Sequence, residues 1–172
     1  MGKSITREVF DDVVTITFDQ ENSIANVFNE DMFAELDDHL GFIEDHQGDF
    51  RGVIFKSAKP SIFIAGADLK SFADDPTKER ISYLIKLGQQ TFNRIEDLRI
   101  PTVAAIHGAC LGGGYELALA CDHRVATLDS ATKIGLPETM LGILPAWGGS
   151  TRLPRMIGIA GAMGIILAGK VV

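Results

Sequence analysis

The sequence is poor in the residues that would commit it to disulfides, metals or polyanions. It has two cysteines, Cys110 and Cys121, without C-x-x-C spacing, and four scattered histidines. Neither a disulfide framework nor a metal cluster is therefore expected, which suits a reducing, cytoplasmic setting. Basic residues are outnumbered 16 to 23 by acidic ones, a formal charge of −7. Nucleic acid is thereby excluded as the main partner, because phosphate binding needs a basic face. An anionic small molecule stays open if a few lysines are grouped locally. No apolar run reaches the ~18 residues of a membrane span, so no membrane partner is expected. The N-terminus has no apolar signal core, and Glu8, Asp11 and Asp12 are unlike a transit peptide. Nucleotide signatures are missing as well. Gly112-Gly113-Gly114 does not fit G-x-G-x-x-G, and no Gly-Lys-Ser/Thr follows it. Linkers, low-complexity segments and fixed-period repeats are all absent.

What is present reads as one domain, residues 1–172, with 46% hydrophobic residues and a sizeable core. Ile5–Phe10 and Val13–Asp19 alternate around Asp11-Asp12, a hairpin pattern. Asn29 starts a helix with Met32, Phe33, Leu36, Leu40 and Ile43 on its apolar face. Gly52–Lys56 reads as a buried strand, and Lys78–Leu98 as a long amphipathic helix. Strands are expected at Thr102–Ile106, His123–Thr127 and Thr132–Ile134. Leu136-Pro137-Glu138 should open a further helix, and Gly148 onward one or two more. Strands alternating with helices predict an α/β domain.

One stretch organises the rest. A buried run from Thr102 to Ile106 leads through Gly112-Gly113-Gly114 into an apolar helix over Tyr115–Cys121. A glycine turn feeding a helix leaves N–H groups unpaired where the helix dipole is positive, a place suited to a developing anion. Glu116 falls three residues after Gly113, so a titratable carboxyl shares that volume. A second reading stands beside this one: the glycines serve close packing, and Glu116 only complements the dipole. Two further segments share this ambiguity. In Ala65-Gly66-Ala67-Asp68-Leu69, small residues let a ligand approach the backbone, while Asp68 equally serves as the N-cap of a short helix. In Gly135-Leu136-Pro137-Glu138, proline and glutamate are ordinary helix-start residues.

Taken together, Phe63–Leu69, His107–Ala118 and Gly135–Glu138 resemble the crotonase family, the enoyl-CoA hydratases and isomerases. Leu141–Pro145 and Gly148–Arg155 extend the resemblance, which runs from about residue 5 to the end. The wording of residues 107–124 and 135–158 is most similar to the hydratase part of multifunctional fatty-acid oxidation proteins. The resemblance implies a spiral of ββα units. It implies an oxyanion hole from the N–H groups of Ala67 and Gly113, and catalytic carboxyls at Glu116 and Glu138. Coenzyme A would lie along Lys56–Leu69, with its adenine near Ile64, Ala65 and Asp68. Gly66, Leu69 and Gly112 complete the substrate-binding set. Having both glutamates favours 2-enoyl-CoA hydration; a Δ3-Δ2-enoyl-CoA isomerase and a non-catalytic acyl-CoA-binding fragment are the alternatives. No cofactor is implied, the CoA thioester being the substrate.

The chain departs from the resemblance at Ala146-Trp147, where many members have small residues, and at Ser150-Thr151. Trp147 is expected either to line the acyl pocket or to serve as a core aromatic. The helical segment that caps the CoA site and builds the trimer in the family has no counterpart here. The chain therefore reads as C-terminally truncated. Residues 160–168 are nearly all apolar, which predicts burial on several sides. A trimer-based homo-oligomer, or a place within a larger fatty-acid oxidation protein, is expected.

Overall fold

In the computed structural model, which describes residues 3–70 and 74–172, strands β1 (Ile5–Phe10) and β2 (Val13–Phe18) form the expected hairpin. Both turn residues, Asp11 and Asp12, have positive φ, 47° and 61°. That is the backbone of a two-residue turn whose twist matches its flanking strands. Helix α1 (Glu30–Asp45) follows, with the Asn29 side-chain oxygen accepting the Met32 N–H at 2.9 Å. All five residues of its predicted apolar face are buried.

The chain then winds through three similar turns, each placing one strand in a first sheet, one in a second, and then a helix. The first turn is β3 (Gly52–Ser57), β4 (Ile62–Ile64) and α2 (Lys78–Glu96). The second is β5 (Thr102–Ile106), β6 (Ala109–Leu111) and α3 (Gly113–Ala120). The third is β7 (His123–Ala126), β8 (Lys133–Gly135), a 3-10 turn (Pro137–Leu141) and α4 (Gly149–Ile166). The first sheet runs β1-β2-β3-β5-β7 and is parallel after the hairpin; the second runs β4-β6-β8, all parallel. This is the predicted spiral of ββα units. Parallel strands such as β3 and β5 carry Val53, Phe55, Ala104 and Ile106 inward, and they need helices over their faces.

Between α1, α2 and α3 lies an aromatic cluster of Phe28, Phe33, Phe92 and Trp147. Its ring centroids are 4.9 Å apart for Phe28–Phe33 and 6.0 Å for Phe33–Phe92. The indole of Trp147 meets the three phenylalanines edge to face, the arrangement that ring quadrupoles favour.

Two local expectations change. Pro137 opens only a five-residue 3-10 turn, closed by Gly142 at φ 76°, whose N–H bonds back to the Glu138 and Thr139 carbonyls. Helix α4 breaks at Gly158 (φ 78°, ψ 160°), so the region is two helical stretches joined at a kink. Past that kink Ile159, Met163 and Leu167 are exposed, while Val172 pairs with Ile134 along the edge of β8. Among the described residues no helix is long and apolar enough to cross a membrane.

Asn26 fastens the sheets to the loops that carry the site. It is fully buried, and its amide nitrogen donates to Phe18 O, Ser57 Oγ and Phe63 O, while its amide oxygen accepts the Gln20 N–H. Asn26→Ala strands several of these groups and should destabilise the fold by roughly 2–4 kcal/mol. Urea unfolding measures the loss; a value below about 1 kcal/mol would mean that water takes over the bonds.

Candidate active site

The start of α3 lies where three segments meet, and glycine is what allows it. A Cβ on Gly113 would fall 2.4 Å from Trp147, and one on Gly114 would fall 2.3 Å from the Ile64 carbonyl. Any side chain at either position would force the helix away from β4 and the aromatic core. The glycine turn is thus a packing requirement as well as a source of free N–H groups.

The segment around Ala67 lies alongside. A Cβ built on Gly66 would sit 3.3 Å from the Leu111 carbonyl and 3.9 Å from the Gly113 nitrogen. Phe28 bridges this segment by donating to Gly66 O and accepting from the Asp68 N–H, both at 2.8 Å. That pairing uses the neighbours of Ala67 and leaves the Ala67 N–H out. Gly113 is the first residue of its helix, so its N–H has no partner within the helix. Among the described residues neither N–H has an acceptor.

Glu116 is 2% exposed. One carboxylate oxygen, Oε1, accepts two backbone N–H groups, from Trp147 and Gly149, both at 2.8 Å. Burial pushes this carboxyl from an ordinary 4.5 up to about 7. The Gly149 and Trp147 donors and the charge of Arg152 pull it down, and the neighbouring Glu138 pushes it further up. Glu138 is supplied by the 3-10 turn and approaches the same glycines: a Cβ on Gly112 would lie 3.1 Å from its Oε1. Its other oxygen, Oε2, is buried without a hydrogen-bond partner among the described residues. Burial raises this carboxyl too, partly offset by its own backbone N–H. The result is two neighbouring carboxyls, both raised by burial, one held by two N–H donors from a distant segment and the other by its own backbone N–H alone. Burial of both groups, and for Glu116 the neighbouring Glu138, favours the protonated form.

The structure therefore brings Ala67, Gly112, Gly113, Glu116 and Glu138 together. Ile64 belongs to β4 with its side chain buried in the core, and Ala65 donates its N–H to Asn26 O. Asp68 accepts the Lys70 N–H at 3.1 Å, as an N-cap would, and Leu69 is half exposed. The remainder of the short helix expected there falls on residues 71–73, outside the described residues. Trp147 sits in the core behind Gly113, 4% exposed, with its indole N–H donating to Leu84 O at 3.2 Å. What joins it to the carboxyl pair is its backbone N–H.

Sequence reasoning did not anticipate the donors of Trp147 and Gly149, nor Arg152, whose guanidinium is buried against Glu96, Asn93 and the Trp147 carbonyl. No local pattern singles out Arg152, which stands among Ser150, Thr151 and Arg155 at the start of α4. Backbone donors leave no mark in a sequence.

The sequence matches the family described as enoyl-CoA hydratase/isomerase across residues 8–172. It is 46% identical over 158 residues to a fatty acid oxidation complex subunit alpha of Aliivibrio fischeri, covering 92% of this chain and 23% of that protein. A protein of the same name from Vibrio cholerae is 45% identical over 157 residues, covering 91% and 22%. The chain thus spans about a quarter of the length of these curated relatives. Among solved structures, an enoyl-CoA hydratase from Bacillus anthracis superposes with a TM-score of 0.90 at 36% identity, over 99% of this chain and 64% of that one. An enoyl-CoA hydratase from Thermoplasma volcanium does so with 0.88 at 29% identity, over 98% and 65%.

The buried carboxyl has a consequence for stability. With a folded value of about 7 against an ordinary 4.5, Glu116 keeps its proton in the folded state over a range in which the unfolded chain has released it. Stability should then fall as pH rises through that window, by about 3 kcal/mol for this group, and level off above it. Urea unfolding between pH 5 and 8 should show this slope in the native chain and only the smaller contribution of Glu138 in Glu116→Gln. Equal slopes would mean that Glu116 is ionised throughout.

Proposed function

The chain belongs to the enoyl-CoA hydratase/isomerase family, and we propose that it adds water to a 2-enoyl-CoA thioester. The observation that carries this reading is the pair Glu116 and Glu138 at the glycine turn. One carboxyl has two N–H donors on one oxygen; the other has a buried oxygen without a partner among the described residues.

In this reading the thioester oxygen accepts the N–H groups of Ala67 and Gly113. As water attacks C3, negative charge moves from the double bond onto that oxygen to form an enolate. Fixed donors in a dry site stabilise such charge without reorganising, each worth about 10²–10³ in rate. Glu116 is the base: its two N–H donors hold the ionised form against the burial that raises it, and it takes a proton from the attacking water. Glu138 is the acid, because burial favours its neutral form; it gives its proton to C2. The product gains OH at C3 and H at C2, and transfer of a proton from Glu116 to Glu138 restores the starting state. The thioester itself activates the double bond, so the scheme calls for no further cofactor.

The substrate lies along Lys56–Leu69, with the adenine near Ile64, Ala65 and Asp68. Gly66, Leu69 and Gly112 line its path, and Trp147 backs the acyl end. We further infer a cytoplasmic chain that works in a trimer-based assembly or within a larger fatty-acid oxidation protein, in keeping with the names of its relatives. The exposed apolar residues Ile157, Ile159, Met163 and Leu167 of α4 suit such packing.

Glu116→Gln and Glu138→Gln should each lower hydration of a 2-enoyl-CoA by about 10²–10⁴-fold without unfolding the chain. The assay follows loss of the enoyl-thioester absorbance. Near-normal hydration by Glu116→Gln would sink the two-carboxyl mechanism. If that variant instead keeps Δ3-Δ2 isomerisation while the native chain does not hydrate, the isomerase reading takes its place.

The same apolar face makes a second prediction. Light scattering of the purified chain at micromolar concentration should show self-association through α4. A monodisperse monomer would overturn that part of the reading.

A further inference from the structure

We propose that Arg152 and Gln89 are positioning residues that aim the Glu116 carboxylate by holding the Ala146–Gly148 peptides from the side of α2. The inference rests on the reading of Glu116 as the base.

The peptides between residues 145 and 149 are held on one side by α2 and on the other by Glu116. The Gln89 side-chain amide donates to Ala146 O at 2.7 Å, and the Trp147 indole reaches Leu84 O. The Arg152 guanidinium donates to Trp147 O at 3.0 Å. It is itself gripped from α2 by Asn93 Oδ1 at 2.7 Å and by Glu96 Oε2 at 2.7 and 2.9 Å. Every peptide here is trans, so a carbonyl and the N–H of the same unit point in opposite directions. Drawing Ala146 O toward α2 therefore aims the Trp147 N–H at Glu116 Oε1. The next unit is set by Arg152. Gly148, at φ 116°, makes room for it: a Cβ there would fall 1.9 Å from the guanidinium. The chain then turns so that the Gly149 N–H reaches the same carboxylate oxygen. Gly149 also lacks a side chain that would meet Glu116 at 3.0 Å.

The charged groups acting on Glu116 are Glu138 from the 3-10 turn and Arg152 from α4. Glu96 of α2 reaches it through Arg152. A purely electrostatic role for Arg152 and a positioning role thus predict different behaviour when the charge is kept and the geometry lost.

The experiment is an NMR titration of the Glu116 carboxyl carbon, assigned by its disappearance in Glu116→Gln, together with the pH profile of enoyl-CoA hydration. Arg152→Lys keeps the charge but cannot span Trp147 O, Asn93 and Glu96 at once. It should move the titration of Glu116 upward and lower kcat on the order of 10²-fold, with KM changed less than about threefold. Asn93→Ala and Gln89→Leu alter no charge and should move both quantities in the same direction by less. If Arg152→Lys does not fold, these two variants carry the test. Native titration of Glu116 in the folded variants, with only a lower melting temperature, overturns the inference. A native chain that hydrates nothing, but whose Glu116 still shifts in the variants, overturns the hydratase reading and leaves the positioning role standing.

Discussion

A carboxylate taken out of water must be met by donors or give up its charge, and Glu116 is the point at which this fold meets that demand. It lies near the start of a helix, with no cation within bonding distance among the described residues. Two backbone N–H groups from a segment more than thirty residues away supply what water would have supplied. That segment is bonded through Ala146 O to Gln89 of α2 and through Trp147 O to Arg152 of α4, and its indole is sunk in the aromatic cluster. The Trp147 and Gly149 N–H groups keep one oxygen satisfied in a dry place.

The second carboxyl is less well supplied with donors. Glu138 arrives on a short 3-10 turn and leaves its Oε2 buried and, among the described residues, unpartnered. An unsatisfied buried oxygen costs free energy that a purely structural residue would avoid by turning to solvent. Its place beside Glu116 gives the site its asymmetry: similar groups, both pushed toward the protonated form by burial, in different hydrogen-bonding surroundings. Burial dominates both shifts, and on Glu116 it is opposed by donors that come from the distant segment.

The ββα spiral explains how residues far apart in sequence reach one volume. Each turn lays a strand in each sheet, and β4, β6 and β8 run parallel side by side. Their C-terminal ends deliver residues 65–68, 112–116 and 136–138 next to one another. This accords with the match over residues 8–172 and with superposition on enoyl-CoA hydratases over nearly the whole chain.

Local elements were legible because their causes are local. Asp11-Asp12 between alternating runs makes a tight turn, Asn29 ahead of an apolar period makes a capped helix, and three glycines before Tyr115 make a strand-to-helix turn. The candidate carboxyls at 116 and 138, and the small-residue segment around Ala67, could be picked out from residue type together with the family resemblance. The helix expected at Pro137 was not realised, because its residues close on Gly142 after one turn; nor could periodicity alone foresee the break of α4 at Gly158. Residue types and spacing by themselves determined the alternation of strands and helices and the presence of two acidic groups near glycine turns. Only the tertiary structure decided that Trp147 is a core aromatic, that its backbone N–H serves Glu116, and that Arg152 is buried against α2. The reason is physical: side-chain periodicity is written along the chain, whereas desolvation and backbone donors depend on which distant peptide comes to rest against a carboxyl.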